Sequence, residues 1–212
     1  ISSANKGASW SVAGNLNGDA VDDVIIYNET DYDMTMLLSS AGGFTSTTLA
    51  KNSANSGTLY YVANPPSLVD INGDGLLDIL AASGTTQPGT IEKFVNGGSA
   101  TAPSFPATPV DIATGDSPVA QGFADFNCDG VLDIAVTTLG CNAGDQNCPP
   151  PTGEPPVLWI LPGHGTGYDA ALTTMIPTGA YNLAIADFNH DGYPDLVAAS
   201  GGTTVTVLIN TP

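Results

Sequence analysis

Nearly the same nine residues occur four times in this chain: NLNGDAVDD at 15–23, DINGDGLLD at 70–78, DFNCDGVLD at 125–133 and DFNHDGYPD at 187–195. Positions 1, 3, 5 and 9 always carry an oxygen-bearing side chain. Successive starts are 55, 55 and 62 residues apart. Recurrence at such a spacing marks a repeat architecture in which each unit is one supersecondary element. That constrains the fold more than any single residue does.

The residue types name a hard cation. Calcium takes about six to eight oxygen ligands, and side-chain oxygens at alternate positions of a tight loop can converge on one point. The expected ligands are Asn15, Asn17, Asp19, Val21 and Asp23; Asp70, Asn72, Asp74, Leu76 and Asp78; Asp125, Asn127, Asp129, Val131 and Asp133; and Asp187, Asn189, Asp191, Tyr193 and Asp195. Val21, Leu76, Val131 and Tyr193, at position 7, are expected to serve through their backbone carbonyls. Residues at positions 2 and 4 are expected to point outward and vary freely. Gly75, Gly130 and Gly192 at position 6 supply the permissive backbone that reverses the chain. The first loop, with Asn15 and Ala20 where the others have Asp and Gly, is expected to bind most weakly.

Charge supports this reading. The chain has 21 acidic residues against three lysines and no arginine, a formal charge of −18. Twelve of the 21 acids lie inside the four loops. Up to four structural Ca²⁺ ions would bring −18 to −10, so the acidity reads as stored ligand charge. Magnesium fits less well, because it dehydrates reluctantly. An EF-hand fails: its twelfth loop position is a bidentate Glu, and here that position is Ile26, Ala81, Val136 and Ala198.

What surrounds each loop is strand-like. A short apolar run enters it (Trp10 to Ala13, Ser67 to Val69, Val119 to Ala124, Asn182 to Ala186) and a second leaves it. A third run follows at 34–38, 90–95, 157–161 and 204–209, then a Gly-rich turn, then a more polar strand at 45–49, 108–113 and 170–175. Short strands rich in β-branched residues, separated by turn signals, predict an all-β chain. Four antiparallel strands per repeat describe a propeller blade.

The loop pattern D-x-[DN]-x-D-G-x-x-D, the apolar strand after it and the later Gly-rich turn resemble the FG-GAP repeat family, also called VCBS-like repeats. The resemblance covers nearly the whole chain. It implies calcium-holding loops between the first two strands of each β-propeller blade, as in integrin heads, bacterial cell-surface proteins and fungal lectins. Most such propellers have about seven blades, whereas this chain has four loops.

The expectation is therefore a single domain over 1–212, a four-bladed propeller. Its blades lie at about 9–50, 59–114, 117–177 and 180–210. The last blade lacks its outer strand in cis. Aligning the loops sets Ile1 against Thr173, so the N-terminus could supply only a stub of that strand. The alternatives are a strand from another chain, or a chain that is the C-terminal part of a longer propeller.

Composition excludes some functions. Binding to a phosphate backbone needs several Lys or Arg, so no nucleic-acid partner is expected. No apolar run approaches the roughly 20 residues of a membrane-spanning helix, so no membrane insertion is expected. The chain begins with Ile1 and shows no basic-then-apolar leader, which reads as a processed or excised N-terminus. Loop sites of this kind suit high external calcium, so an extracellular or cell-surface location is expected. An oxidising compartment permits a local Cys141–Cys148 disulfide across the long insertion in the third repeat, with Cys128 pairing to either as the competing choice. His164 and His190 read as exposed turn residues, and no serine stands in a nucleophile elbow, so a non-catalytic protein is expected. Trp10 and Trp159 read as core. Tyr60, Tyr61, Tyr168 and Tyr181 are candidates for stacking on sugars. Asn28-Glu-Thr30 reads as a glycosylation sequon, and the acid-rich run Glu29 to Asp33 as a solvated turn.

The expected function is a calcium-stabilised structural or interaction module, self-assembling or contacting another extracellular protein through its open blade edge. The alternative is a carbohydrate-binding lectin or adhesin.

Overall fold

The computed structural model describes residues 7–28, 33–49, 65–83, 89–99, 101–106, 109–115, 117–140, 155–165, 167–176, 179–200 and 203–211. Cys141, Cys148, Tyr60, Tyr61 and the N-terminal stub at 1–6 lie outside the described residues. The described residues are all-β, with no helix among them.

Seventeen strands form in chain order: β1 (Ala8–Gly14), β2 (Asp23–Asn28), β3 (Asp33–Ser40), β4 (Gly43–Leu49), β5 (Ser67–Val69), β6 (Asp78–Ser83), β7 (Thr90–Phe94), β8 (Val110–Ala113), β9 (Pro118–Ala124), β10 (Asp133–Thr138), β11 (Val157–Leu161), β12 (Gly163–His164), β13 (Gly167–Tyr168), β14 (Leu172–Met175), β15 (Ala180–Ala186), β16 (Asp195–Ser200) and β17 (Val205–Leu208). They make three four-stranded sheets, β1-β2-β3-β4, β5-β6-β7-β8 and β9-β10-β11-β14. A three-stranded sheet β15-β16-β17 and the small β12-β13 hairpin complete the set. The entering, leaving, third and polar strands read from the sequence all form. Among the described residues the last sheet has no fourth strand.

Each four-stranded sheet runs from a buried second strand to a largely exposed fourth. β6 and β10 are buried along their whole length, while β14 is exposed throughout. The apolar, small and β-branched residues of the second strands suit burial on both faces. The Thr/Ser-rich fourth strands suit one wet face. A register shift recurs at one place in three first strands, between Ala8 and Trp10, between Pro118 and Ala120, and between Ala180 and Asn182. In each repeat it falls between five and seven residues before the loop. Such a bulge bends and twists a strand, and its recurrence makes it part of the repeat.

The chain divides into two compact units, Ile1–Thr85 with Ile91–Ile112, and Thr86–Thr90 with Ala113–Pro212. The first has a core of Leu16, Ile25, Tyr27, Met34, Met36, Leu49, Ile79 and Phe94. The second is built on Ala135, Leu158, Ile176, Ala180, Leu196 and Ala198. Within the second unit β9 lies against β15. Gly122 permits that approach: a Cβ there would come within 2.6 Å of Ile185 Cδ1.

Three readings are corrected. Trp10 is 38% exposed rather than core. Asn28 of the sequon is fully buried, its amide donating to Asp33 Oδ1 at 2.8 Å and Thr35 Oγ1 at 2.9 Å, so a glycan there would have to displace the core. Asp33, read as part of a solvated turn, is likewise buried.

Candidate metal centre

Position 5 organises each loop. In the second loop the Asp74 N–H donates to Asn72 Oδ1 and Asp70 Oδ1, both at 3.0 Å. Asp74 Oδ2 accepts from Asn72 Nδ2 at 2.9 Å, and its Oδ1 from the Leu76 N–H at 2.8 Å. The Gly75 N–H reaches Asp70 Oδ2 at 2.8 Å. The third loop repeats the pattern on Asp125, Asn127 and Asp129, and the fourth on Asp187, Asn189 and Asp191. The side-chain oxygens of positions 1, 3 and 5 are thus gathered in one place, each with lone-pair capacity to spare.

The first loop departs from this. Asn15 Oδ1 accepts from the Gly18 N–H at 2.6 Å, in place of the two-oxygen grip of an Asp on the position-5 and position-6 N–H groups. An amide offers one oxygen where a carboxylate offers two. The Asn17–Asp19–Val21 part is retained.

Two positions of each loop are left-handed. Position 6 has φ of 68°, 87°, 87° and 91° at Ala20, Gly75, Gly130 and Gly192. Position 4 has φ of 69°, 74°, 59° and 63° at Gly18, Gly73, Cys128 and His190. Position 4 therefore does not vary freely: its backbone is constrained although its side chain is not. Nor does position 2 point outward throughout, since Leu16 and Ile71 are buried in the core. The glycines at 18 and 73 were the available signal. Cys128 is exposed and free.

Position 9 plays a part that loop spacing does not reveal. Asp23, Asp78, Asp133 and Asp195 are buried at the root of the loop. One oxygen of each accepts the position-2 N–H, from Leu16 at 2.9 Å, Ile71 at 3.2 Å, Phe126 at 2.8 Å and Phe188 at 2.8 Å. The other accepts a backbone N–H at the end of the third strand, from Ser39 at 2.8 Å, or just past it, from Asn96 at 2.8 Å, Gly163 at 2.7 Å and Asn210 at 2.8 Å. This aspartate is a staple between loop and sheet. Burial pushes the carboxyls of Asp78 and Asp133 up, opposed by those N–H donors and reinforced by the charges at positions 5 and 1. At Asp187 desolvation also pushes up, but the N–H groups of Gly192, His190 and Asp191 and the nearby His190 ring outweigh it and hold the carboxyl below its usual range.

These donors fit a hard, oxygen-loving cation. Two carboxylates, an amide oxygen and the loop backbone suit Ca²⁺, and no sulfur or imidazole takes part, as zinc would prefer. Among the described residues no three His, Cys, Asp or Glu side chains converge as a ready-made metal cluster. The candidate centre depends on Asn72, Asn127 and Asn189 as well as the acids. Elsewhere, His164 lies 3.5 Å from Asp169 in an exposed pair.

The repeating unit of the described residues is an antiparallel sheet whose first two strands are joined by an acidic loop, and that loop is stapled to the end of the third strand. The model described as FG-GAP-like repeat matches residues 70–136, and that described as FG-GAP repeat matches 179–208. The chain carries FG-GAP-like repeats. Comparison with curated proteins found no match. Among solved structures, the chain is similar to one described as "Structure of Photorhabdus luminescens Tc holotoxin pore, Mutation TccC3-D651A", at 15% identity and a TM-score of 0.49. That similarity covers 92% of this chain but only 8% of the other.

Proposed function

We propose that the protein is a non-catalytic, calcium-stabilised β-propeller of four blades that works by contact in the extracellular or cell-surface space. The observation that carries this reading is the shared wiring of the loops. Asp70, Asp125 and Asp187 gather the same N–H groups, and the same loops are stapled into their sheets by Asp78, Asp133 and Asp195. A cation held there would brace the sheet rather than meet a substrate.

The contact surface in this reading is the edge of β17. Val205, Val207 and Ile209 stand exposed along and just beyond it. An uncovered strand edge presents N–H and C=O groups that recruit another strand, from a second copy or from another extracellular protein. A lectin or adhesin activity is the second reading, favoured by Tyr181, which is 49% exposed.

Thermal melting in calcium and in chelator tests the metal, since a ligand bound only by the native state raises its stability. Sedimentation over a concentration series tests the contact. An unchanged melt after full chelation refutes the calcium reading. A monomer at every concentration removes self-assembly, and a glycan array without a single positive removes the lectin.

A further inference from the structure

In the first unit, Phe105 packs against the core cluster, whose eight residues include Leu16, Met34, Met36, Ile79 and Phe94. The chain reaches it by a short detour after β7. Asn96 Oδ1 accepts the N–H groups of Gly98 and Ser104 at 3.2 and 3.0 Å, and the Gly97 N–H bonds the Ser104 carbonyl at 2.9 Å. That closed loop delivers the next residue, Phe105, to the core.

The second unit builds the same walls. The donors to the position-9 staple serve as rulers. Ser39 and Gly163 are equivalent, so Met34 and Met36 match Leu158 and Ile160. Asn96 and Asn210 are equivalent, so Phe94 matches Leu208. Loop position pairs Leu16 with Phe126, and Ile79 with Leu196. All five counterparts line one cavity of about 510 Å³. Among the described residues, none stands where Phe105 stands in the first unit.

Asp133 and Asn210, two of the polar residues on this wall, are already engaged. Asp133 accepts from Phe126 and Gly163, and Asn210 Nδ2 donates to the Phe126 carbonyl. A sugar needs a few free, convergent polar groups, whereas an apolar ring needs only the walls. The mouth runs past Asn127, Cys128 and Tyr193 of two acidic loops, so a segment bearing carboxylates is repelled. A whole second copy would bring another −18. By contrast, the stretch of sequence around Phe105, residues 97–110, contains no charged side chain.

We propose that this cavity receives an aromatic side chain from an added polypeptide segment that lies along the β17 edge, uncharged and proline-containing like residues 97–110 of this chain. The proposal rests on the reading of that edge as a contact surface and names what occupies it.

The probe is a fluorescein-labelled peptide of residues 97–110, titrated into the full chain in calcium and read by anisotropy. Saturable one-to-one binding is expected. Peptide Phe105→Ala should weaken it by about tenfold or more, as loss of a buried aromatic anchor does. Leu172→Glu in the protein should do the same. Leu172 is a wall residue already 65% exposed, so the fold should survive, and an unchanged melt verifies that. Binding indifferent to Phe105→Ala overturns the proposal. So does no binding to a protein whose melt still rises with calcium, which leaves the calcium reading standing. Leu172-dependent self-association that the peptide cannot compete away makes a second copy the occupant, and also overturns it. Phe105-dependent binding to a chain indifferent to calcium upholds the proposal while the calcium reading fails.

Discussion

The side-chain amide of Asn210 donates to the carbonyl of Phe126 at 2.7 Å, tying the segment just beyond β17 to the loop of the preceding sheet. Asn96 makes the same reach to Leu16 in the first unit, at 3.5 Å. Asn210→Ala is expected to cost about 1 kcal/mol, the net worth of one such bond. Asn96→Ala should cost about 2–3 kcal/mol, because it also strips the acceptor from two buried-loop N–H groups. Urea unfolding reads both. Equal, negligible losses would show that these amides do not link the sheets.

The left-handed residues at position 4 predict gains. Cys128 and His190 sit at φ of 59° and 63°, where a Cβ costs roughly 1–2 kcal/mol. Glycine removes that cost but adds freedom to the unfolded chain. Cys128→Gly and His190→Gly should each stabilise by about 0.5–1 kcal/mol, nearly additively. Gly73→Ala, at φ of 74°, should destabilise by about 1 kcal/mol. Melting temperatures moving the opposite way would contradict the loop geometry.

Calcium removal should lower stability by about 2.7 kcal/mol for each site held at a hundredfold excess over its Kd. Calorimetric titration should separate a weak first site from the others. Asn15→Asp should tighten it, by restoring the second oxygen that Asp70, Asp125 and Asp187 use. Asp70→Ala should remove one site from the stoichiometry. Equal affinity at every site would contradict the distinction drawn from Asn15.

Without metal, Asp78 and Asp133 should give stability a downward slope with rising pH. Their carboxyls titrate above 3.8 in the folded chain. The native state therefore holds those protons more tightly than the unfolded one. Their favourable contribution is complete below about 3.8 and is lost as pH rises through the folded values. Asp187, held below 3.8, contributes in the other direction, losing its share as pH falls. In chelator, Asp78→Asn should flatten the slope measured by urea midpoint as pH rises from 3.8. Saturating calcium should reverse it, since ligand carboxylates bind metal deprotonated. A slope unaffected by Asp78→Asn would dismiss this account.

The strands were legible because each is a short β-branched or apolar run bounded by turn residues, and the loops because their oxygens alternate. What stayed hidden depends on distance in sequence. Nothing local shows that Asp78 meets the Asn96 N–H eighteen residues later, or that Asn210 reaches back 84 residues to Phe126. Trp10 misled because a tryptophan in an entering strand looks like core, whereas β1 is exposed over its first half. Asn28 misled because a sequon is a local pattern and burial is not. The Gly18 and Gly73 pair did mark the left-handed backbone at position 4, but Cys128 and His190 concealed it.

The reach of Asn96 and Asn210 has a consequence for ancestry. The residues equivalent to them in the first and third sheets are Ser39 and Gly163, whose side chains are too short to make it. The pattern thus alternates, and what repeats in it is a pair of sheets, the link from Asn96 to Leu16 recurring as that from Asn210 to Phe126. The two compact units fall on the same division. A chain of this design would have grown by duplicating couples rather than single sheets. Deleting one sheet would orphan an amide or a carbonyl, whereas deleting a couple would leave every such bond intact.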